Sequence, residues 1–305
     1  MSAGRAILGL FAAGALAHGA PETTARSFFS AALGKEIACQ IFLPAGYEAE
    51  RGARLPVVYL LHGRGGDLRA WTAVVPEIER LIAEKRVPPF IAIMPDAPAN
   101  KRAGYYVDSE FAGAGELPAG ERVETAFTRD LVAAVDATYR TRPERAGRIV
   151  AGFSMGGYGA LRFALAHPEV FGAAIVLSPA VYVPLPPRAS STREFGAFGK
   201  ERKIFDEAIY REKNYPALLP AFAAAKRPLA MFIAVGDREQ ALVDPAEAMH
   251  DLDYEAHTLY NRVRRVPGLT ARLRVLDGGH DWDVWRPAFA EGLVFAFAQL
   301  GAARN

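Results

Sequence analysis

The residues best placed to do chemistry lie in Gly152-Phe153-Ser154-Met155-Gly156-Gly157. An apolar run, Ile149 to Ala151, precedes them, and a helix-compatible run from Tyr158 to His167 follows. Strand, G-x-S-x-G and helix in that order form a nucleophile elbow, a tight turn that holds a serine hydroxyl exposed at the edge of a sheet. Glycine is needed at Gly152 and Gly156 because a Cβ there would collide where strand and helix cross. The N-terminus of the following helix favours developing negative charge. The bland alternative is a Gly-rich strand-to-helix turn with an inert serine.

A serine hydroxyl is a weak nucleophile unless a base takes its proton and a third group orients that base. Of the six histidines, His280 alone follows the last strand-like run in a Gly-rich turn, Asp277-Gly278-Gly279-His280. His18 falls in a leader-like segment, His167 ends the elbow helix, and His250 and His257 sit in a helical run. His62 precedes a Gly-rich loop that it could orient. His280 is therefore the expected general base. The orienting acid should follow the preceding strand, where Asp237 and Glu239 both stand, with Asp244 as a third option before Pro245. Asp237 could equally cap the turn after Gly236. An oxyanion needs two backbone N–H donors. Met155, next to the nucleophile, supplies one, and Arg64 in His62-Gly63-Arg64-Gly65-Gly66 is expected to supply the other.

These residues need strands to carry them. Residues 36–43 alternate as an edge strand does. Residues 55–61, 90–94 and 229–235 are apolar throughout, as strands covered on both faces are; 149–151 lead into the elbow, 173–178 read as a further strand ending in Ser178-Pro179, and 271–276 alternate. Helical periodicity marks about 71–85, 122–140, 245–265 and a last helix beginning near Val284 or Pro287. Strands alternating with helices predict an α/β fold, a mostly parallel central sheet with helices on both faces. In such sheets ligands collect at the carboxyl ends of the strands, where the serine, acid, histidine and Gly-rich loop all fall. Residues 96–121 are loop-rich, and 180–215 reads as a small insertion over the sheet.

Composition narrows the field. The chain has 305 residues, 51% of them apolar, enough for one large core. The 36 Lys and Arg nearly balance 34 Asp and Glu, which argues against a nucleic-acid partner. The single cysteine, Cys39, permits no internal disulfide, and no His/Cys spacing suits zinc, so neither metal nor organic cofactor is expected. Residues 1–20, with Arg5, the apolar run Ala6 to Ala17 and then small residues before Pro21, read as a secretory signal. The run is too short to span a bilayer, so stable membrane insertion is not expected, and the product is expected to be secreted or periplasmic. Residues 21–305 then form one expected domain.

A set of motifs makes the reading more specific. Leu60-Leu61-His62-Gly63-x-Gly65-Gly66 with Trp71 is followed by Met94-Pro95-Asp96 and Tyr106-Val107-Asp108-Ser109. Gly152-Phe153-Ser154-Met155-Gly156-Gly157-Tyr158-Gly159-Ala160-Leu161 comes next, and Gly279-His280-Asp281-Trp282 with Trp285 completes the series. Over roughly residues 30–300 the chain resembles the esterase D type family of α/β-hydrolases, which includes S-formylglutathione hydrolases, feruloyl esterase domains, enterochelin-esterase-like hydrolases and mycolyltransferases. The resemblance implies an α/β-hydrolase fold. It implies a triad acid three residues after the strand-ending glycine, where this chain has Glu239 rather than aspartate, so Glu239 ranks ahead of Asp237. It also implies that Tyr105, Tyr106 and Asp108 lie near the substrate pocket. The expected activity is a serine carboxylic-ester hydrolase working through an acyl-serine on a small-molecule or polysaccharide-linked ester. The rivals are an acyltransferase with the same triad and a non-catalytic binding module on the same scaffold.

Overall fold

The computed structural model describes residues 23–50, 52–97, 102–240 and 245–302. The leader-like segment 1–20 and the alternative acid Asp244 lie outside the described residues. In chain order the elements are β1 (Thr23–Ser30), β2 (Lys35–Phe42), β3 (Val57–Leu61), α1 (Val75–Ala83), β4 (Ile91–Pro95), β5 (Glu110–Phe111) and α2 (Val123–Thr125). A π-helical turn, Ala126–Leu131, joins α2 to α3 (Val132–Thr138). Then come β6 (Arg148–Phe153), α4 (Met155–Ala166), β7 (Ala173–Leu177), β8 (Lys200–Glu201), α5 (Glu207–Lys213), α6 (Tyr215–Ala225), β9 (Leu229–Gly236), α7 (Leu252–Val263), β10 (Leu269–Leu276) and α8 (Trp282–Ala302).

Eight strands form one sheet in the order β1-β2-β4-β3-β6-β7-β9-β10. The β1–β2 and β2–β4 pairs are antiparallel, and the pairs from β4 to β10 are parallel. Strands β3, β4, β6, β7 and β9 are buried along their whole length, which is why their sequences are apolar without alternation. Alternate residues serve the two faces. Val57, Tyr59 and Leu61 join the core under α4 and α7, while Val58 and Leu60 join the core under α1 and α8.

Several expectations change in detail. Strand β1 is absent from the sequence reading, because it buries only Phe28 and Ser30 and carries no apolar alternation. The elbow helix starts at Met155 rather than Tyr158. The 245–265 segment splits into a 3-10 turn, Pro245–His250, and α7, because Asp251 is extended (φ −60°, ψ 139°) and starts a new helix. Helix α8 begins at Trp282, so Pro287 lies inside it. The insertion between β7 and β9 continues past 215 into α6, which packs on α4. Inside it, β8 pairs with β5 from the 96–121 loop and ties the two long loops together. Among the described residues no helix is long and apolar enough to cross a membrane.

Candidate active site

Strand β6 delivers Ser154 to the carboxyl edge of the sheet. Ser154 has φ 57° and ψ −122°, a left-handed conformation costly for any residue with a Cβ and typical of functional sites. The surroundings fix it: its N–H donates to the Leu177 carbonyl at 2.9 Å, and its carbonyl accepts from the Tyr158 and Ala180 amides at 3.0 Å. A Cβ on Gly152 would overlap the Gly156 carbonyl, and one on Gly156 would overlap the Leu61 carbonyl of β3. Gly156 is therefore needed as much by the neighbouring strand as by the strand-to-helix turn.

The loop after β10 brings His280 to this serine. Its Nε2 lies 2.9 Å from Ser154 Oγ and its Nδ1 2.7 Å from Glu239 Oε2. With Nδ1–H donating to the carboxylate, Nε2 is left free to accept the serine proton. The Glu239 side chain is completely buried. Its second oxygen, Oε1, accepts from the Ser178 hydroxyl and from the Gly236 N–H, both at 2.6 Å. Ser178 Oγ accepts in turn from Trp285 Nε1–H at 2.9 Å. The Trp285 ring meets the His280 imidazole edge to face, with centroids 4.9 Å apart, and stacks on Phe153 at 4.3 Å.

Asp237 does not take part. Its Oδ1 accepts the Gly278 N–H at 3.0 Å, and Arg238 lies 3.4 Å away. The half-exposed carboxylate ties the loop after β9 to the turn after β10, so the structure gives the second of the two acid candidates a structural contact and no contact with His280. The reason is reach. Asp237 directly follows the end of β9, where its own N–H is still bonded to the Leu276 carbonyl, whereas Glu239 has passed the turn and points back under the sheet edge.

The Gly-rich loop after β3 closes the other side. A Cβ on Gly63 would sit 2.7 Å from Phe153 Cε2, so the loop packs against the elbow strand's last residue. His62 is buried and orients the loop, as its position suggested. Ala97 N–H donates to its Nε2 at 3.0 Å, leaving Nδ1–H to donate to the Gly63 carbonyl at 2.7 Å. The Arg64 N–H makes no hydrogen bond among the described residues. Met155 is the first residue of α4, where a helix leaves its amides without intrahelical acceptors.

Tyr105, Tyr106 and Asp108 are near the site but do not present an open slot. Tyr106 is fully buried, and its hydroxyl donates to the His62 carbonyl at 2.9 Å. Tyr105 is 3% exposed, with its hydroxyl 2.7 Å from Thr192 Oγ1 of the insertion. Both have positive φ, 49° and 54°, so these two contacts hold a strained stretch of loop in place. Asp108 accepts from the N–H and hydroxyl of Thr125, the third residue of α2. The pocket-lining expectation is therefore corrected for Tyr106, which lacks exposed surface, and for Asp108, whose carboxylate is engaged in capping.

Ser178 and Trp285 are the site residues that sequence reasoning missed as such. Ser178 stood only as the end of a strand before Pro179. A serine at the carboxyl end of the strand next to the elbow was the available signal. The remaining histidines have other partners: His167 is 2.9 Å from Glu124, His250 3.4 Å from Glu255 and His257 2.8 Å from the Asp253 carbonyl. Cys39 is buried and its thiol is pushed up by desolvation, which makes it inert as a nucleophile. Among the described residues no group of three or more His, Cys, Asp or Glu is arranged to hold a metal ion.

The family model described as "Putative esterase" matches residues 30–296. The chain belongs to this family. It is 31% identical over 164 residues to an endo-1,4-beta-xylanase/feruloyl esterase of Xylanibacter ruminicola, covering 52% of this chain and 22% of that protein. It is 26% identical over 244 residues to an acetyl esterase of Caldicellulosiruptor saccharolyticus, covering 77% and 81% of the two chains. Among solved structures, a ferulic acid esterase superposes with a TM-score of 0.70 at 26% identity, covering 91% of this chain and 98% of the other. The fold is that of the α/β-hydrolase esterases. The chain spans between 22% and 30% of the length of the first curated relatives it matches.

Proposed function

We propose that this protein is a serine carboxylic-ester hydrolase that works through an acyl-serine. The observation that carries this reading is the chain of hydrogen bonds Ser154–His280–Glu239 at 2.9 and 2.7 Å, with Ser154 in the strained elbow conformation. His280 Nε2 takes the Ser154 proton as Oγ attacks the ester carbonyl carbon. The carbonyl oxygen becomes an oxyanion held by the Met155 and Arg64 amides, each such donor being worth about 3 kcal/mol to the transition state. His280 then gives the proton to the departing alkoxide, and the alcohol leaves. Water repeats the cycle: His280 removes its proton, hydroxide adds to the acyl carbon, and Ser154 departs with its proton restored. Glu239 holds the imidazole tautomer and stabilises the imidazolium formed in both halves.

A polysaccharide-linked ester is the substrate class we propose first, because an endo-1,4-beta-xylanase/feruloyl esterase and an acetyl esterase are both similar to this chain. The signal-like first twenty residues support placing the enzyme outside the cytoplasm. The test is turnover of short p-nitrophenyl esters together with labelling by a fluorophosphonate. Wild type should turn over and be labelled, while Ser154→Ala should lose both; equal turnover by Ser154→Ala would overturn the reading.

A further inference from the structure

His280 is the least confined member of the Ser154–His280–Glu239 chain. Its side chain is 38% exposed, and it follows Gly278 and Gly279 in the loop after β10. Glycine leaves the backbone freer than other residues do, so the imidazole needs a support beyond its two hydrogen bonds to stay in register with the serine. Trp285 is placed to give it. It lies in the first turn of α8, where its backbone N–H donates at 3.0 Å to the carbonyl of Asp281, the residue after His280. The indole is buried and fixed on several sides. Its Nε1–H donates to Ser178 Oγ at 2.9 Å. Phe153 stacks on the ring with centroids 4.3 Å apart and planes at 21°, and Trp282 meets it at 5.5 Å and 82°. This fixed ring stands against the imidazole, with centroids 4.9 Å apart and planes at 88°.

These contacts close a circuit. Phe153 is the last residue of β6 and directly precedes Ser154, so the ring stacked on the indole belongs to the strand that carries the nucleophile. From Ser154 the path runs through His280 and Trp285 to Phe153 and so back to Ser154. A second path joins the same indole to the acid, through Ser178 Oγ and on to Glu239 Oε1 at 2.6 Å. The indole is thereby held in register with both the serine's strand and the carboxylate, and its ring passes that register to the base between them. We propose that Trp285 is a positioning residue whose ring keeps the His280 imidazole turned so that Nε2 faces Ser154 Oγ while Nδ1 faces Glu239. An edge-to-face contact of this kind changes an equilibrium by about two- to tenfold, and no proton passes through the indole. This inference rests on the ester-hydrolase reading above.

The experiment is a double-mutant cycle read with p-nitrophenyl acetate. Trp285→Leu removes the ring and should lower kcat by about ten- to a hundredfold, with KM within about twofold of wild type. Trp285→Phe keeps a ring beside the imidazole and loses the N–H to Ser178, and should lower kcat by only about threefold. In a His280→Ala background, Trp285→Leu should change the residual rate by less than about twofold, because the group it positions is gone. The His280 Nδ1–H proton, followed by NMR, should give a sharp downfield signal in wild type and an exchange-broadened one in Trp285→Leu. The same fold-loss in both backgrounds, a loss carried by KM with kcat unchanged, a Trp285→Phe protein as slow as Trp285→Leu, or an unaltered Nδ1–H signal in Trp285→Leu would each overturn the proposal. Should Trp285→Leu not fold, Phe153→Leu takes its place. Removing the ring behind the indole should cost about threefold in kcat and nothing further in the His280→Ala background, and a cost that persists there overturns the proposal. Failure of the ester-hydrolase reading looks different: wild type turns over no ester and fluorophosphonate leaves Ser154 unlabelled, while the Nδ1–H signal still reports whether the ring holds the imidazole.

Discussion

Two glutamates downstream of β9 are buried beside this site, and they are held in opposite ways. Glu239 is surrounded by donors: the Ser178 hydroxyl and Gly236 N–H on one oxygen, His280 on the other. Glu255, on α7, accepts the Val183 N–H at 2.8 Å, and His250 stands off at 3.4 Å. Burial pushes the Glu255 carboxyl up to about 8, with the Val183 amide and Arg262 acting against the rise. The first carboxylate is furnished to accept and belongs to a rigid relay built at strand ends. The second anchors Val183, next to Tyr182, in the insertion between β7 and β9. Burial alone therefore does not fix a carboxyl group's part in the molecule, and the donor set around each oxygen distinguishes the two.

The largest break in this comparison comes from Glu239. Glu239→Gln should lower kcat by roughly 10³ to 10⁴-fold while the protein still folds, because the amide no longer fixes the imidazole tautomer. Stopped-flow or steady-state ester hydrolysis reads this directly, and a loss below tenfold would remove Glu239 from the relay. Ser178→Ala should have a smaller effect, on the order of ten- to a hundredfold in kcat with KM nearly unchanged. The Gly236 amide still holds Oε1, while the Trp285 N–H loses its acceptor. The cost in stability should be about 1–3 kcal/mol for the buried donor left unpaired, measurable by denaturant unfolding. If KM rose in step with an unchanged kcat, Ser178 would be shaping the pocket rather than positioning the acid.

Glu255 provides the smallest and most diagnostic effect. Its folded pKa is raised, so the folded state binds the proton more tightly than the unfolded chain does. The associated stability is fully present below the ordinary value of 4.5 and is lost as pH rises toward about 8. Thermal melts across this window should show the midpoint falling as pH increases, by a few degrees. In Glu255→Gln that component of the slope should vanish, with little change in kcat at neutral pH. A Glu255→Gln protein that keeps the wild-type slope would show that the carboxyl is already ionised in the fold.

Much of the molecule is legible in the chain because its signals are local. Runs such as Val57–Leu61 and Ala173–Leu177 are apolar throughout, since both faces of a central parallel strand are covered. Strand β1 is not legible, because an edge strand that buries only Phe28 and Ser30 leaves no pattern, and its partner supplies the ladder bonds. Helix α6 is similarly masked by Pro216 and Pro220, one at its start and one inside it.

At the site the division is the same. Sequence alone singled out Ser154, His280, the Gly-rich loop and their placement at strand ends, because each sits in a short motif whose backbone requirements are local. Only the tertiary structure put Glu239 rather than Asp237 against His280 and brought Ser178 and Trp285 beside that carboxylate. Those outcomes depend on where side chains from β7, β9, β10 and α8 converge and on which donors are already taken. That is a matter of distances between residues far apart in the chain, such as the 2.6 Å between Ser178 and Glu239, and periodicity carries no record of it.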